Sequence, residues 1–348
     1  MENNTQDSYK SEADNTASAR KKDHIDLAMQ SRVTKSEADN RFFYEPILSA
    51  HPGQEVSLST DIGNKTLQFP IWVSSMTGGT EKAAMINENL ARVCGEFGLG
   101  MGLGSCRQLL YEDKRLFEFD LRKYMNDQPL YINLGVAQVE ELLQRGQVAK
   151  AGELIQKLTA DGLIIHVNPL QEWLQPEGDR YTQSALDTIT QMIDVVDYPI
   201  IVKEVGQGFG YTSLRELLKL PLEALDLAGL GGTNFSMLEL IRSDKVMLDS
   251  YKNVCQIGHS CEEMIDIING MIDTESDTFI QTKKIIISGG VTDFLDGYYL
   301  MGKCKLPSFY AQASAFLKHA MDYDSLRQYT IHQIEGLKMA NAFLTIKA

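Results

Sequence analysis

An imidazole, two carboxamides and a carboxylate fall within seven residues, His166-Val167-Asn168-Pro169-Leu170-Gln171-Glu172, directly after the apolar run Gly162-Leu163-Ile164-Ile165. Such a run reads as a buried strand that Pro169 stops, and polar side chains at the ends of buried strands are where barrel enzymes do chemistry. Taken alone, the segment would also suit a hydrophilic strand-to-helix loop with a capping carboxylate. Lys203 is the second chemically pointed residue, a lone cation after Ile200-Ile201-Val202. A buried lysine needs a negative partner or loses its proton, so either Glu204 or an anionic ligand must face it. Alternation along a strand turns Glu204 the other way, which favours the ligand. Arg20-Lys21-Lys22-Asp23-His24 gathers cations in an acidic chain. It suits a solvated basic turn before a helix or, together with Arg107, a lid over a diphosphate, because a guanidinium forks onto phosphate oxygens.

Side chains of this kind need a scaffold, and the chain supplies a regular one. Short β-rich apolar runs occur at 69–75, 98–103, 130–134, 162–167, 200–205, 224–228, 284–288 and 308–313, and segments such as 83–97, 151–158 and 214–218 carry apolar residues spaced by three and four. Eight strands alternating with helices predict a single-domain (β/α)₈ TIM barrel; an open doubly wound sheet is the topological rival, since alternation alone does not show closure. Residues 1–18 read as a disordered polar tail, 19–68 as an N-terminal helix and hairpin segment bearing the basic lid, and 69–348 as the barrel. The hairpin pairs Val56–Ser59 with Thr66–Phe69 around Gly63-Asn64. Lys-Ser-Glu-Ala-Asp-Asn occurs at 10–15 and again at 35–40, two similar helix-start segments rather than a solenoid repeat.

The residues that follow the strands form a second pattern. Small and polar ends recur at Ser75-Met76-Thr77-Gly78-Gly79, Gly104-Ser105-Cys106-Arg107, Asn133, Lys203-Glu204-Val205-Gly206, Ala228-Gly229-Leu230-Gly231-Gly232-Thr233 and Ser288-Gly289-Gly290-Val291. Any one glycine pair is explained by a tight turn. Three of them, two placed after strands six and seven, predict an anion site.

Composition bounds the rest. With 348 residues, 43% of them hydrophobic, the chain can bury a large core. A formal charge of -14 argues against nucleic acid or an anionic membrane as a bulk partner, while a small anion can still bind where a few cations gather. Five cysteines without C-x-x-C spacing suggest neither a zinc site nor a disulfide framework. With no signal-like N-terminus and no long apolar run, the expected location is the cytoplasm.

Taken in order, Arg20-Lys21 with His24, Ser75 to Gly79, Gly104 to Arg107, Asn133, His166 to Glu172, Lys203 to Gly206 and Gly231-Gly232-Thr233 resemble the type 2 isopentenyl-diphosphate isomerases, from about residue 20 to the last strand. That family comprises flavin-dependent barrels, and the resemblance implies interconversion of isopentenyl and dimethylallyl diphosphate with reduced FMN and Mg2+. It also implies NADPH or another reductant to prime the flavin, and a homo-oligomer. Carried over by position, it implies that Arg20, Lys21, His24, Ser105, Arg107, His166, Asn168 and Gln171 bind the substrate, with Gln171, His166 and Lys203 catalytic. It further implies that Ser75, Met76, Thr77, Ser105, Asn133, Lys203, Thr233, Gly289, Gly290, Ala313 and Ser314 hold the flavin and that Glu172 is the magnesium carboxylate. On this reading Lys203 favours negative charge on a reduced ring.

The chain departs from the family at Ala228-Gly229-Leu230, where Ser-Gly-Arg is usual, at Ile257-Gly258 in place of Trp-Gly, and in the last strand, Phe309 to Ser314; these changes cluster where the flavin is expected. Two other readings share the scaffold. An FMN-dependent oxidoreductase of the 2-hydroxy-acid-oxidising type would want a catalytic histidine near the late strands, for which His259 is available, and an arginine pair, which is not. A flavin or diphosphate binder without turnover is opposed by intact His166, Asn168, Gln171 and Glu172.

Overall fold

The computed structural model describes residues 17–53, 56–75, 81–276 and 278–347. They fall into two compact units, one of the described residues up to Phe43 with Lys347 and the other of those from Tyr44 to Ile346. The smaller unit holds the helix Ala17–Leu27, which begins a turn before Arg20 and carries Arg20, Lys21, Lys22 and His24 on itself rather than on a turn ahead of it. The tail assigned to residues 1–18 lies outside the described residues as far as residue 16.

The larger unit is a closed eight-stranded parallel barrel: β1 (Ile71–Val73), β2 (Gly100–Gly102), β3 (Leu130–Gly135), β4 (Gly162–Val167), β5 (Ile200–Glu204), β6 (Ala224–Asp226), β7 (Ile285–Ser288) and β8 (Ser308–Gln312). Each strand pairs with its neighbour in sequence, and β8 returns to β1, with Tyr310 opposite Ile71. This closure decides against the open sheet. All eight expected strands are present, and most are shorter than their apolar runs because pairing stops where the loops diverge; β1 keeps only three residues of 69–75.

Two periodicities set the packing. The helix Glu81–Phe97 buries Ala83, Ile86, Leu90, Val93 and Cys94, a stripe of three-and-four spacing against the outer barrel face. Along the strands, alternate residues face inward, where Trp72, Tyr131, Ile164, Ile201, Ile286 and Phe309 form an apolar layer. Trp72 meets Tyr131 edge-on with centroids 5.8 Å apart and is fully buried, so truncation to alanine is expected to cost about 3–5 kcal/mol.

A hairpin seals the end from which the strands start. Its strands are Thr60–Ile62 and Lys65–Leu67, closer to the turn than the 56–59 and 66–69 pairing expected, because Gly63 (φ +59°) makes a two-residue loop that pairs Ile62 directly with Lys65. Ile62 and Leu67 join the apolar layer, and Gly63 N donates to Glu223 Oε1 (2.6 Å) at the start of β6. Functional side chains are therefore confined to the opposite end. Among the described residues no helix is long and apolar enough to cross a membrane.

Candidate functional site

Two residues beyond the apolar layer, the same inward faces carry Asn133, His166, Lys203, Asp226 and Ser288 on five successive strands of the barrel's polar arc, β3 to β7. Strand period alone produces this: Tyr131 and Asn133, Ile164 and His166, Ile201 and Lys203, Ile286 and Ser288 each share a face. Register then brings three of them level, His166 opposite Lys203 and Lys203 opposite Asp226. An apolar plug thus bears a polar floor at the C-terminal end of the strands.

Lys203 is not the unpaired cation that its strand suggested. Its Nζ lies 3.1 Å from Asp226 Oδ2 and 3.4 Å from Ser288 Oγ, and Ser288 Oγ in turn donates to Asp226 Oδ1. The partner is neither Glu204 nor solely a ligand but a carboxylate one strand away. Glu204 does point away as alternation requires, and its Oε2 accepts from the N–H groups of Gly206, Gln207 and Gly208 at 2.6–2.8 Å, folding the loop after β5. Burial nonetheless raises the Glu204 carboxyl above its ordinary range.

Nδ1 of His166 lies 2.6 Å from Asn133 Oδ1. Burial first, and the charge of Lys203 second, push the His166 imidazole down to about 4, so it is neutral at physiological pH. With the carboxamide oxygen accepting, the ring proton sits on Nδ1 and Nε2 keeps its lone pair. His166 and Asn133 line a cleft of about 360 Å3 together with Ser105, Arg107, Gln171 and Lys203, a size within the range of small-molecule sites, roughly 300–1,000 Å3.

The segment that drew attention in sequence divides its labour. Asn168 is buried with its amide spent locally, donating to Gln171 Oε1 (3.1 Å) and Glu172 Oε1 (2.9 Å) and accepting from Tyr181 OH (2.8 Å). Pro169 opens the short helix Pro169–Leu174, which delivers Gln171 to the cleft, where its Nε2 lies 3.5 Å from Glu239 Oε1. Glu172 is buried and does not line the cleft; its Oε2 accepts from Asp179 N (2.7 Å). Asp179 also holds Arg107, with Oδ2 2.8 Å from one guanidinium nitrogen, and takes a bond from Gln138. The arginine is therefore steadied at the cleft by a carboxylate that sequence reading did not pair with it.

A second recess adjoins the first through Ser75, Lys203, Val205 and Phe235, and its walls include Thr233, Gly289, Gly290, Ala313 and Ser314. The loops after β6 and β7 meet backbone to backbone here. Gly289 (φ +93°) could not bear a Cβ, which would fall 2.0 Å from Gly229 O, and Ala228 takes a positive φ of 44° that favours glycine. Met76 and Thr77, expected beside the flavin, lie outside the described residues. His259, the histidine an oxidoreductase would need, has its Nδ1 2.8 Å from Glu263 Oε1 instead.

Do these residues fit a flavin and a metal? Ser75 Oγ is buried and lines both recesses, and it has no hydrogen-bond partner among the described residues, so it is available to a bound molecule. Around it stand a carboxamide, an ammonium with a third proton to give, a hydroxyl and glycine-rich backbone, a donor set suited to a flat heterocycle with carbonyl edges and a phosphate tail. FMN fits. For magnesium, no group of three or more His, Cys, Asp or Glu side chains among the described residues is placed to hold an ion. Glu172 fits only a site of one carboxylate completed by substrate oxygens and water, which is a common arrangement for that ion.

No protein-family model matches the chain. Among curated proteins, the isopentenyl-diphosphate delta-isomerase of Rickettsia typhi (strain ATCC VR-144 / Wilmington) is 35% identical over 240 residues, 68% of this chain and 69% of that one. Those of Rickettsia akari (38% over 229 residues) and Cronobacter sakazakii (37% over 231 residues) each match 65% of this chain and 66% of their own length. The match thus spans just under two thirds of the length of these last two relatives. Among solved structures, a flavocytochrome b2 with pyruvate bound superposes with a TM-score of 0.60 at 12% identity, covering 87% of this chain and 72% of the other. A mandelate oxidase with a monooxide FMN adduct gives 0.53 at 10% identity, covering 88% of each. At such identities the likeness is one of fold.

Proposed function

Since the chain belongs to the isopentenyl-diphosphate delta-isomerase family, we propose that it interconverts isopentenyl and dimethylallyl diphosphate with reduced FMN and Mg2+, primed by NADPH or another reductant. The observation that carries this reading is the company kept in one cleft: a neutral imidazole and a carboxamide, His166 and Gln171, with the ammonium of Lys203 and the guanidinium of Arg107.

Moving a double bond needs a proton delivered to one carbon and another taken from its neighbour, with no change in electron count. Reduced FMN, when bound, would supply the acid–base chemistry that an unactivated alkene does not obtain from ordinary side chains. The chain's own residues would do the rest. Asn133 fixes the His166 ring and, with Ser75, Lys203 and Thr233, would hold the flavin, while Gly289, Gly290, Ala313 and Ser314 would receive its phosphate. Gln171 and neutral His166 present polar atoms without net charge to the hydrocarbon end of the substrate. Arg107 with Ser105 would bind the diphosphate, and Glu172 would hold Mg2+ against it. Asn168 contributes by bracing Gln171 and Glu172 rather than through a free amide.

The test is isotopic. Protein given FMN, Mg2+ and dithionite in deuterated buffer with isopentenyl diphosphate should return dimethylallyl diphosphate and deuterium in the recovered substrate, read by NMR. Neither product nor exchange at saturating FMN would overturn the assignment.

A further inference from the structure

Lys203, Asp226 and Ser288 come from three neighbouring strands and bond to one another as a closed set. Lys203 Nζ donates to both partners, at 3.1 Å to Asp226 Oδ2 and 3.4 Å to Ser288 Oγ; Ser288 Oγ donates to the remaining Asp226 oxygen and accepts from Ala228 N at 3.1 Å. Lys203 and Asp226 are 9% and 1% exposed, so little water reaches either charge. Lys203 lines both recesses and Ser288 the second, while Asp226 is buried and lines neither.

An ammonium at that depth is tolerated only while a negative group faces it. The other titratable groups that feel Lys203 are His166 on β4, Glu204 on the opposite face of β5 and Cys261 at the start of the helix Cys261–Thr274. Neither the neutral imidazole nor the buried thiol offers negative charge, and Glu204 spends its carboxylate on the following loop. Asp226 is the one carboxylate at ion-pair distance from Lys203 among the described residues. We propose that Asp226, oriented by Ser288, is the positioning residue that lets Lys203 carry its positive charge at the cleft floor. The Ser288 bond to Ala228 N ties this set to the loop that lines the flavin recess, so the charge and the loop are held by one hydroxyl.

The inference rests on the flavin reading only for the use to which that charge is put, and its test begins without flavin. In FMN-free protein with 13C-labelled lysine, the Lys203 ε-carbon is assigned by its loss in Lys203→Met and followed with pH. Asp226→Asn should move that titration down from the unaltered protein's, because a buried lysine without its partner sheds its proton more readily. Ser288→Ala, which keeps the carboxylate but frees it to turn, should move the titration the same way by less, and it serves if Asp226→Asn does not fold. An unmoved titration in the folded variants overturns the proposal. With FMN added, Asp226→Asn examined above its lysine titration should be as hard to reduce as Lys203→Met; a potential equal to the unaltered protein's would break the link between that charge and the flavin. Failure of the unaltered protein to take up FMN would instead sink the flavin reading and leave the lysine titration to decide the role of Asp226.

Discussion

His166 should titrate near 4 and make the protein less stable in mild acid. In the unfolded chain a histidine gives up its proton near 6.5, and in the fold burial and Lys203 push this one down to about 4. Between those values the unfolded chain holds more protons than the native one, so stability rises with pH through the window, is complete above 6.5 and is lost as pH falls toward 4. Each unit of displacement corresponds to about 1.4 kcal/mol. The ring stands at the edge of an open cleft and is not fully buried, so the contribution across the window is discounted from the full product to about 2 kcal/mol. Urea unfolding at pH 4.5, 5.5 and 7 would measure it, with His166→Gln as control: the variant should lose that part of the pH dependence and keep the remainder. Because burial is the larger cause, Lys203→Met should recover only the smaller part of the displacement in a ring-proton NMR titration. A His166 ring that titrates near 6.5, or a pH dependence of stability untouched by His166→Gln, would refute the reasoning.

Three further outcomes are expected. Glu172→Gln should keep the fold and any bound flavin while making isomerisation nearly unresponsive to added Mg2+; an unaltered metal response would remove Glu172 from the role. Lys203→Met should make bound FMN harder to reduce in dye equilibration, since it removes a cation and leaves Asp226 buried without its ion-pair partner. Gly289→Ala should cost at least about 1 kcal/mol and weaken FMN uptake, because the new Cβ would meet Gly229 O at 2.0 Å in a backbone conformation that favours glycine; thermal melts and flavin fluorescence would read both effects.

Much of the scaffold was legible because its signals are local. Runs such as Ile200-Ile201-Val202 and Ile285-Ile286-Ile287 announce buried strands, and the period of two places His166 and Lys203 on inward faces without any knowledge of the fold. What stayed hidden depends on register between strands far apart in sequence. Asp226 closes a three-residue strand and reads as the start of a turn, yet it stands level with Lys203, so the ion pair exists only once the strands are aligned. Asp179 is 72 residues from Arg107 in an irregular loop, with no periodicity to link them. Whether the Asn168 carboxamide faces a ligand or braces its own loop turns on Tyr181, whose placement no spacing rule supplies. The division after Phe43 has no shift in composition to mark it.

The most direct test of the central claim is a stoichiometry. With isopentenyl diphosphate, FMN, Mg2+ and an excess of reductant, product and reductant are measured together over the same interval. The account predicts many dimethylallyl diphosphates per flavin with only enough reductant consumed to prime the cofactor, since a moved double bond leaves the electron count unchanged. Reductant or oxygen consumed in proportion to product would contradict it and identify an oxidoreductase on the same barrel.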